Sequence, residues 1–344
     1  MTGTPDEIIE SGLTFATDSQ PGVYRKGKPG KFYYVDANNK PVKDGAQLDR
    51  IQALVLPPAW TNVWIAAKRN AHLQATGFDA AGRKQYRYHP DWTSRRSDSK
   101  YFRLLEFGKA LPQARKQIAR DLRRKELDER KVLAICLQLM QKTLIRIGNE
   151  SYKQLYGSYG LSTLKDKHVK INGSGMKLVF TGKKGVKQEI SLNDKSLARM
   201  VKKCRDIPGQ ELFQYYVNGS AHKPIDSGRI NNYIKEITGN DFTAKDFRTW
   251  GGTLEALRQL AICSKAPEPK AKKKVIVEVL DCVAGKLGNT RAVCKSSYVY
   301  PLLLQAFEND ELGKYLKKIN TDQSNALEND EKILMQFLKA AQKK

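Results

Sequence analysis

Residues 168–192 read HVKINGSGMKLVFTGKKGVKQEISL, and their apolar positions recur with a period of two. Val169 and Ile171, then Leu178 and Phe180, then Val186 and Ile190 alternate with polar neighbours, as in half-buried strands. Two glycine-containing turns, NGSG and TGKKG, divide the stretch into three short antiparallel strands. The flanking sequence has a different texture. The run RLLEFGKALPQARKQIARDLRRKELDERKVLAICLQLMQKTLIRIG, residues 103–148, reads as a long helical pattern with Ile118, Leu122, Val132, Ile135, Leu139 and Ile145 at apolar positions. Beyond residue 192 the chain again reads as helical, interrupted by SKAPEPKAKKK at 264–274, a flexible basic linker. A short sheet embedded among helices makes this part α+β.

The N-terminal part differs. Residues 1–95 are short segments punctuated by Gly, Pro, Asn and Asp, with KFYYV, NVWIAAK and GRKQYRYHP as strand candidates and DGAQLDRIQAL as a helix. The expected fold is therefore α+β in two domains. A small β-rich domain spans 1–95, and a larger, mainly helical domain with a three-stranded antiparallel sheet spans 96–344, with a hinge near 92–98.

Charge narrows the partners. Lys and Arg number 61 against 36 acidic residues, a net charge of +25. A field of that sign draws polyanions and releases their counterions on binding, so nucleic acid is the expected partner. No apolar run reaches the roughly 20 residues needed to cross a bilayer, and no basic face is joined to a broad apolar one, so a membrane is not expected. The acidic start MTGTPDEIIESGLTF lacks a secretory pattern, so the protein is expected to stay inside its cell, in the cytoplasm. Cys136, Cys204, Cys263, Cys282 and Cys294 form no CxxC pair, and the four histidines do not cluster, so no metal is expected. There is no GxxxxGK[ST] loop for ATP, and no cofactor is called for.

Several groups could surround a phosphate. Arg146 follows two apolar residues near the end of the long helical pattern; taken alone, such an arginine is ordinarily a solvated helix-end charge. Lys183 and Lys184 sit at the turn of the predicted hairpin, where lysines usually serve solubility but can also deliver a proton to a leaving oxygen. Thr243 and Asp246 have capping-box spacing, which puts Arg248 in the first turn of a helix. A cation there opposes the helix dipole, and a nearby anion would relieve the conflict. In GNTRAVCKSSYVYP, residues 288–301, Asn289 precedes Tyr298 by nine positions, and Pro301 ends or kinks whatever helix they occupy. Tyrosine ionises near pH 10 and is a weak nucleophile without cationic neighbours. Core packing is the ordinary role of such residues, and local sequence does not choose between Tyr298 and Tyr300.

Taken in order, these groups run Arg, hairpin Lys, helix-start Arg, Asn, Tyr. With the motifs IRIGNESY, GLSTLKDKHVKI, FTGKKG, KDFRTWGGT and GNTRAVCKSSYV, the chain resembles the type IB DNA topoisomerases, particularly the small bacterial and poxvirus-like branch. LPPAWTNVWIA and QATGFDAAGRKQYRYHPDW extend the resemblance into the N-terminal part, so that it covers about residues 20 to 315. It implies catalytic roles for Arg146, Lys183, Arg248, Asn289 and Tyr298, selecting Lys183 over Lys184 and Tyr298 over Tyr300. It implies that Tyr298 attacks a DNA phosphodiester to form a 3′-phosphotyrosyl bond. The other strand end then turns and reseals, with no ATP, metal or other cofactor. It also implies duplex DNA held by a monomeric two-domain clamp, with Gln85, Tyr86, Tyr88, Tyr152 and Lys184 as DNA contacts and further phosphate contacts from WTSRRSDSKYF and RKQIARDLRRK.

The chain departs from the pattern in places. Poxvirus members carry His where Asn289 stands, and an amide can donate a hydrogen bond but cannot act as an acid. Poxvirus enzymes place DNA-contacting lysines shortly after the RxG turn, where this chain runs Asn149, Glu150, Ser151, Tyr152. Tyrosine recombinases share the constellation, but they usually have HxLR where this chain has Lys245 in KDFR, and a helical N-terminal domain. A duplex-binding protein without catalysis is the other alternative, and filled catalytic positions speak against it.

Overall fold

The structure, a computed structural model, describes residues 8–9, 12–80, 82–217, 221–265, 271–319 and 327–342. The chain divides into two compact units, residues 1–100 and 101–344.

The first unit is built on an antiparallel sheet ordered β2-β1-β3-β4-β5. Its strands are β1 (Gly22–Lys28), β2 (Lys31–Val35), β3 (Thr61–Ala66), β4 (Leu73–Phe78) and β5 (Lys84–Tyr88). Period-two alternation sends β3 residues to opposite faces. Val63 and Ile65 pack with Val23, Ala75 and Ile51, whereas Trp64 and Ala66 pack with Ala71 and Leu73. Ile51 comes from helix α1 (Gly45–Ala53), whose Asp44 cap accepts the Ala46 N–H at 3.1 Å. Strands β1 and β4 go beyond the sequence reading. Charge disguises β1, because Arg25 is buried and donates to the Pro57 and Trp60 carbonyls at 3.0 and 2.7 Å, beneath the Phe32 ring.

Helix α2 (Pro90–Leu122) crosses residue 100 and takes in the expected hinge at 92–98. Proline suits the first helical position, and neither Gly nor Pro occurs again before Gly108, so nothing interrupts the helix across 92–98; Gly108 and Pro112 lie further along it. The side chains of WTSRRSDSKYF from residue 94 onward lie outside the described residues. The long helical pattern is in fact two helices, because Asp128 accepts the Lys131 N–H at 2.9 Å and starts α3 (Glu129–Thr143). Val132, Ile135, Leu139 and Met140 on α3 are wholly buried, and the helix runs through the main core.

After α4 (Glu150–Tyr156) come the three expected antiparallel strands, β6 (Val169–Asn172), β7 (Gly175–Thr181) and β8 (Lys187–Leu192), in that order in their sheet. Helix α5 (Lys195–Arg205) is followed by a hairpin that the helical reading missed, β9 (Gln214–Val217) with β10 (Ala221–Pro224). Strands of four residues, one of them exposed throughout, carry too little periodicity to register. Helices α6 (Ser227–Thr238), α7 (Ala244–Ser264), α8 (Lys272–Leu287), α9 (Arg291–Ser297), α10 (Pro301–Glu308), α11 (Gly313–Leu316) and α12 (Leu327–Ala341) complete the unit. Of the expected linker, Ser264 closes α7 and Lys272–Lys274 open α8, while 266–270 lie outside the described residues. The architecture is α+β, a small antiparallel sheet domain and a mainly helical larger one. No helix among the described residues is long and apolar enough to cross a membrane.

Candidate active site

Helix α3 ends at Leu144, whose backbone is left-handed at φ 54°. Arg146 therefore lies beyond the helix, in a segment without regular secondary structure, and not on a helix end as the periodicity suggested. That segment is pinned from one side. The N–H groups of Leu161 and Ser162 donate to the carbonyls of Arg146 and Ile147, each at 2.7 Å. Gly160 permits the approach: a Cβ there would stand 2.5 Å from the Gly148 nitrogen.

Arg248 enters from α7. The capping box is present, with the Thr243 N–H and hydroxyl donating to Asp246 at 2.8 and 2.9 Å. Arg248 falls beyond the first turn and is only 3% exposed. One arm of its guanidinium donates to the Leu144 carbonyl and another to the Leu287 carbonyl. Arg146 donates to the Gly288 carbonyl at 2.9 Å and to Asn289 Oδ1. Leu144 caps α3, while Leu287 and Gly288 close α8. Both cations are thus seated on helix C-termini, where unsatisfied carbonyls and the negative end of the dipole gather. Neither is paired with a carboxylate among the described residues. The conflict inferred from Arg248 at a helix start is resolved by carbonyls of neighbouring helices.

Asn289 is oriented by Arg146. An arginine can only donate, so the amide oxygen faces it and Nδ2 faces away. Asn289 Nδ2 and Arg248 Nε are both buried without an acceptor among the described residues.

Tyr298 caps the C-terminus of α9, and its N–H reaches the Cys294 carbonyl at 3.0 Å. Pro301 is the first residue of α10, so it starts a helix instead of ending one. The two tyrosines part company here. Tyr300 is 5% exposed and meets Phe337 edge-on in the main core. Tyr298 is half-buried, with the Arg248 guanidinium 5.1 Å from its ring centroid. Burial alone would raise its pKa and keep the phenol protonated, but Arg248, then Arg146 and Lys245, outweigh it and hold the pKa below the ordinary phenol value.

Lys183 and Lys184 occupy the β7–β8 turn, with Lys184 left-handed at φ 62°. Both line an open cleft of about 790 Å³ together with Arg146, Gln188, Asn289 and Tyr298. Lys183, unlike Lys184, also lines the smaller recess beside Arg248. Arg146, Lys183, Asn289 and Tyr298 thus share this cleft, and Arg248 lines the smaller recess together with Arg146 and Lys183. Sequence reasoning had not placed in the site Lys245, which acts on the Tyr298 phenol, or the carbonyls of Leu144, Leu287 and Gly288. Backbone acceptors leave no mark in a sequence.

The other expected DNA contacts are differently placed. Tyr152 is exposed on α4, near Tyr156 at 5.9 Å between ring centroids. Gln85, Tyr86 and Tyr88 belong to the first unit. Tyr86 is exposed and stacks on Tyr88 at 6.1 Å, while Tyr88 is half-buried against two apolar clusters. Gln85 donates its amide to Asp79 at 2.9 Å.

Comparison with known proteins identifies the family. Residues 89–331 match the family described as eukaryotic DNA topoisomerase I, catalytic core, and residues 31–79 match the bacterial DNA topoisomerase IB, N-terminal domain. The chain is 33% identical over 296 residues to DNA topoisomerase 1B of Acanthamoeba polyphaga mimivirus, spanning 84% of this chain and 88% of that protein. It is 22% identical over 305 residues to DNA topoisomerase 1B of Vaccinia virus (strain Copenhagen), spanning 86% and 93%. Since both parts of the chain are matched, and one relative is this similar over most of its length, the chain belongs to the type IB DNA topoisomerase family, in its poxvirus-like branch.

Proposed function

We propose that this enzyme relaxes supercoiled duplex DNA by transient cleavage of one strand, with Tyr298 as nucleophile. The phenolate oxygen bonds to the scissile phosphorus, the bond from phosphorus to the 5′-oxygen breaks, and a 3′-phosphotyrosyl link remains. Lys183 protonates the leaving 5′-oxygen, a contribution of about 10² to 10⁴ in rate for a positioned acid. After the free end has turned about its partner strand, the 5′-hydroxyl attacks and restores the phosphodiester. The covalent link conserves the bond energy, so the cycle as proposed draws on no ATP.

One observation carries this reading. Buried Arg248 and half-buried Arg146, neither paired with a carboxylate among the described residues, flank a half-buried phenol of lowered pKa, beside two buried donor atoms, Arg248 Nε and Asn289 Nδ2, without an acceptor among the described residues. An unsatisfied buried donor costs about 1–3 kcal/mol. The non-bridging oxygens of a phosphoryl group would satisfy both donors and neutralise the guanidiniums as charge builds in the transition state. Asn289 serves as a hydrogen-bond donor and not as an acid. Gln85, Tyr86, Tyr88, Tyr152 and Lys184 are proposed DNA contacts, with domains of residues 1–95 and 96–344 closing as a monomeric clamp on the cell's own DNA.

The test is relaxation of supercoiled plasmid in EDTA without ATP, with denatured samples checked for covalent protein–DNA adduct. Relaxation and adduct are expected to vanish in Tyr298→Phe and to persist in Tyr300→Phe. DNA binding by the unmodified protein with neither relaxation nor adduct would overturn the proposal and leave a duplex-binding protein.

A further inference from the structure

Two threonines lie one turn apart on α7 and use their hydroxyls differently. Thr249 bonds back to the carbonyl four residues earlier, that of Lys245, at 3.0 Å, a common choice for a helical threonine. Thr253, wholly buried, turns away from its own helix. Its hydroxyl donates to the Tyr298 carbonyl at 3.2 Å and accepts the Tyr300 N–H at 3.2 Å. The Tyr298 and Val299 N–H groups both return to the Cys294 carbonyl, behind the tyrosine.

The preceding residue allows this contact. A Cβ on Gly252 would lie 2.9 Å from the Tyr298 carbonyl oxygen and 3.3 Å from the Tyr298 Cβ, so only glycine lets α7 approach the nucleophile's backbone so closely. Arg248 lies five residues earlier on the same helix. One rigid element therefore carries both the cation that lowers the Tyr298 phenol and the hydroxyl that fixes the Tyr298 backbone.

We infer that Thr253 is a positioning residue for the nucleophile, setting the placement of Tyr298 against Arg248 through paired hydrogen bonds on either side of Val299. This rests on the proposed role of Tyr298. A reacting oxygen displaced by about 1 Å can lose about 10²-fold in rate, so the effect belongs to the chemical step and not to DNA affinity.

The experiment compares Thr253→Val, which keeps the shape and removes the hydroxyl, with Thr253→Ser, which keeps the hydroxyl. Single-turnover cleavage is measured on a suicide duplex, and non-covalent affinity in the Tyr298→Phe background. Thr253→Val is expected to slow cleavage about 10- to 100-fold with unchanged duplex affinity. Thr253→Ser is expected to recover most of that rate. Equal rates in Thr253→Val and the unmodified protein would overturn the inference, as would equal losses in the Val and Ser variants. A parallel loss of cleavage and affinity in Thr253→Val would overturn it too, by marking a general structural defect. Failure of the Tyr298 reading is distinguishable, because either the unmodified protein would form no adduct or Tyr298→Phe would still form one.

Discussion

At Tyr298 two influences oppose each other. Burial disfavours the phenolate, and Arg248, Arg146 and Lys245 favour it strongly enough to bring the pKa below the ordinary phenol value near 10. Cleavage through the phenolate should therefore rise with pH and level off above that lowered pKa. In Arg248→Gln the main favourable charge is gone, burial prevails, and the rising limb is expected to move to higher pH; single-turnover cleavage against pH measures the shift. An unmoved limb would mean that Arg248 does not set the ionisation. The stability sign is consistent. A lowered folded-state pKa adds stability as pH climbs from that value toward about 10, and the gain is lost as pH falls back through it. At this scale local sequence supplied residue types and the family resemblance selected Tyr298; the structure separates the two phenols by burial and by which of them meets a guanidinium.

Helix α7 shows how one element organises several others. Its capping box was legible from Thr243 and Asp246, and its apolar face from Phe247, Trp250, Leu254 and Leu257, which are all buried. What holds its outer side was not legible, since the partners are distant in sequence. Glu331 on α12 pairs with Arg115 on α2 at 2.6 and 2.8 Å and accepts the Trp250 indole N–H at 2.9 Å. Ile333, Leu334, Phe337 and Leu338 bury the same helix. Glu331→Ala would strand a partly buried guanidinium and an indole N–H. A loss of about 3 kcal/mol is expected, read as a lower denaturant midpoint at unchanged slope. A midpoint within error of the unmodified protein would show that α12 is held by its apolar face alone. Elsewhere short range misled: the helical pattern around 103–148 hid the break before Asp128, because both sides of it are apolar with the same period.

For the whole molecule, a net charge of +25 predicts how it meets its partner. Non-covalent affinity of Tyr298→Phe for duplex DNA should fall steeply with salt. Contact with six or more phosphates would lose about 10³-fold between about 50 and about 200 mM. A plot of log affinity against log salt gives the slope, and a flat plot would contradict phosphate contact as the source of affinity. The charge has its effect without arranging the fold, since many of these lysines and arginines are exposed or locally paired.

The sequence by itself determined the class of fold, the small sheet at 169–192, the basic field, and the order of the residues that meet at the cleft. These follow from local periodicity, turn chemistry and composition, which each segment carries alone. Only the tertiary structure decided that Arg146 leaves its helix, and that the Leu144, Leu287 and Gly288 carbonyls seat the two arginines. It alone buried Tyr300 while leaving Tyr298 at the cleft. The reason is physical. Hydrogen bonds from side chain to backbone across 39 to 142 residues, and the difference between a buried and a half-buried phenol, arise only when helices pack.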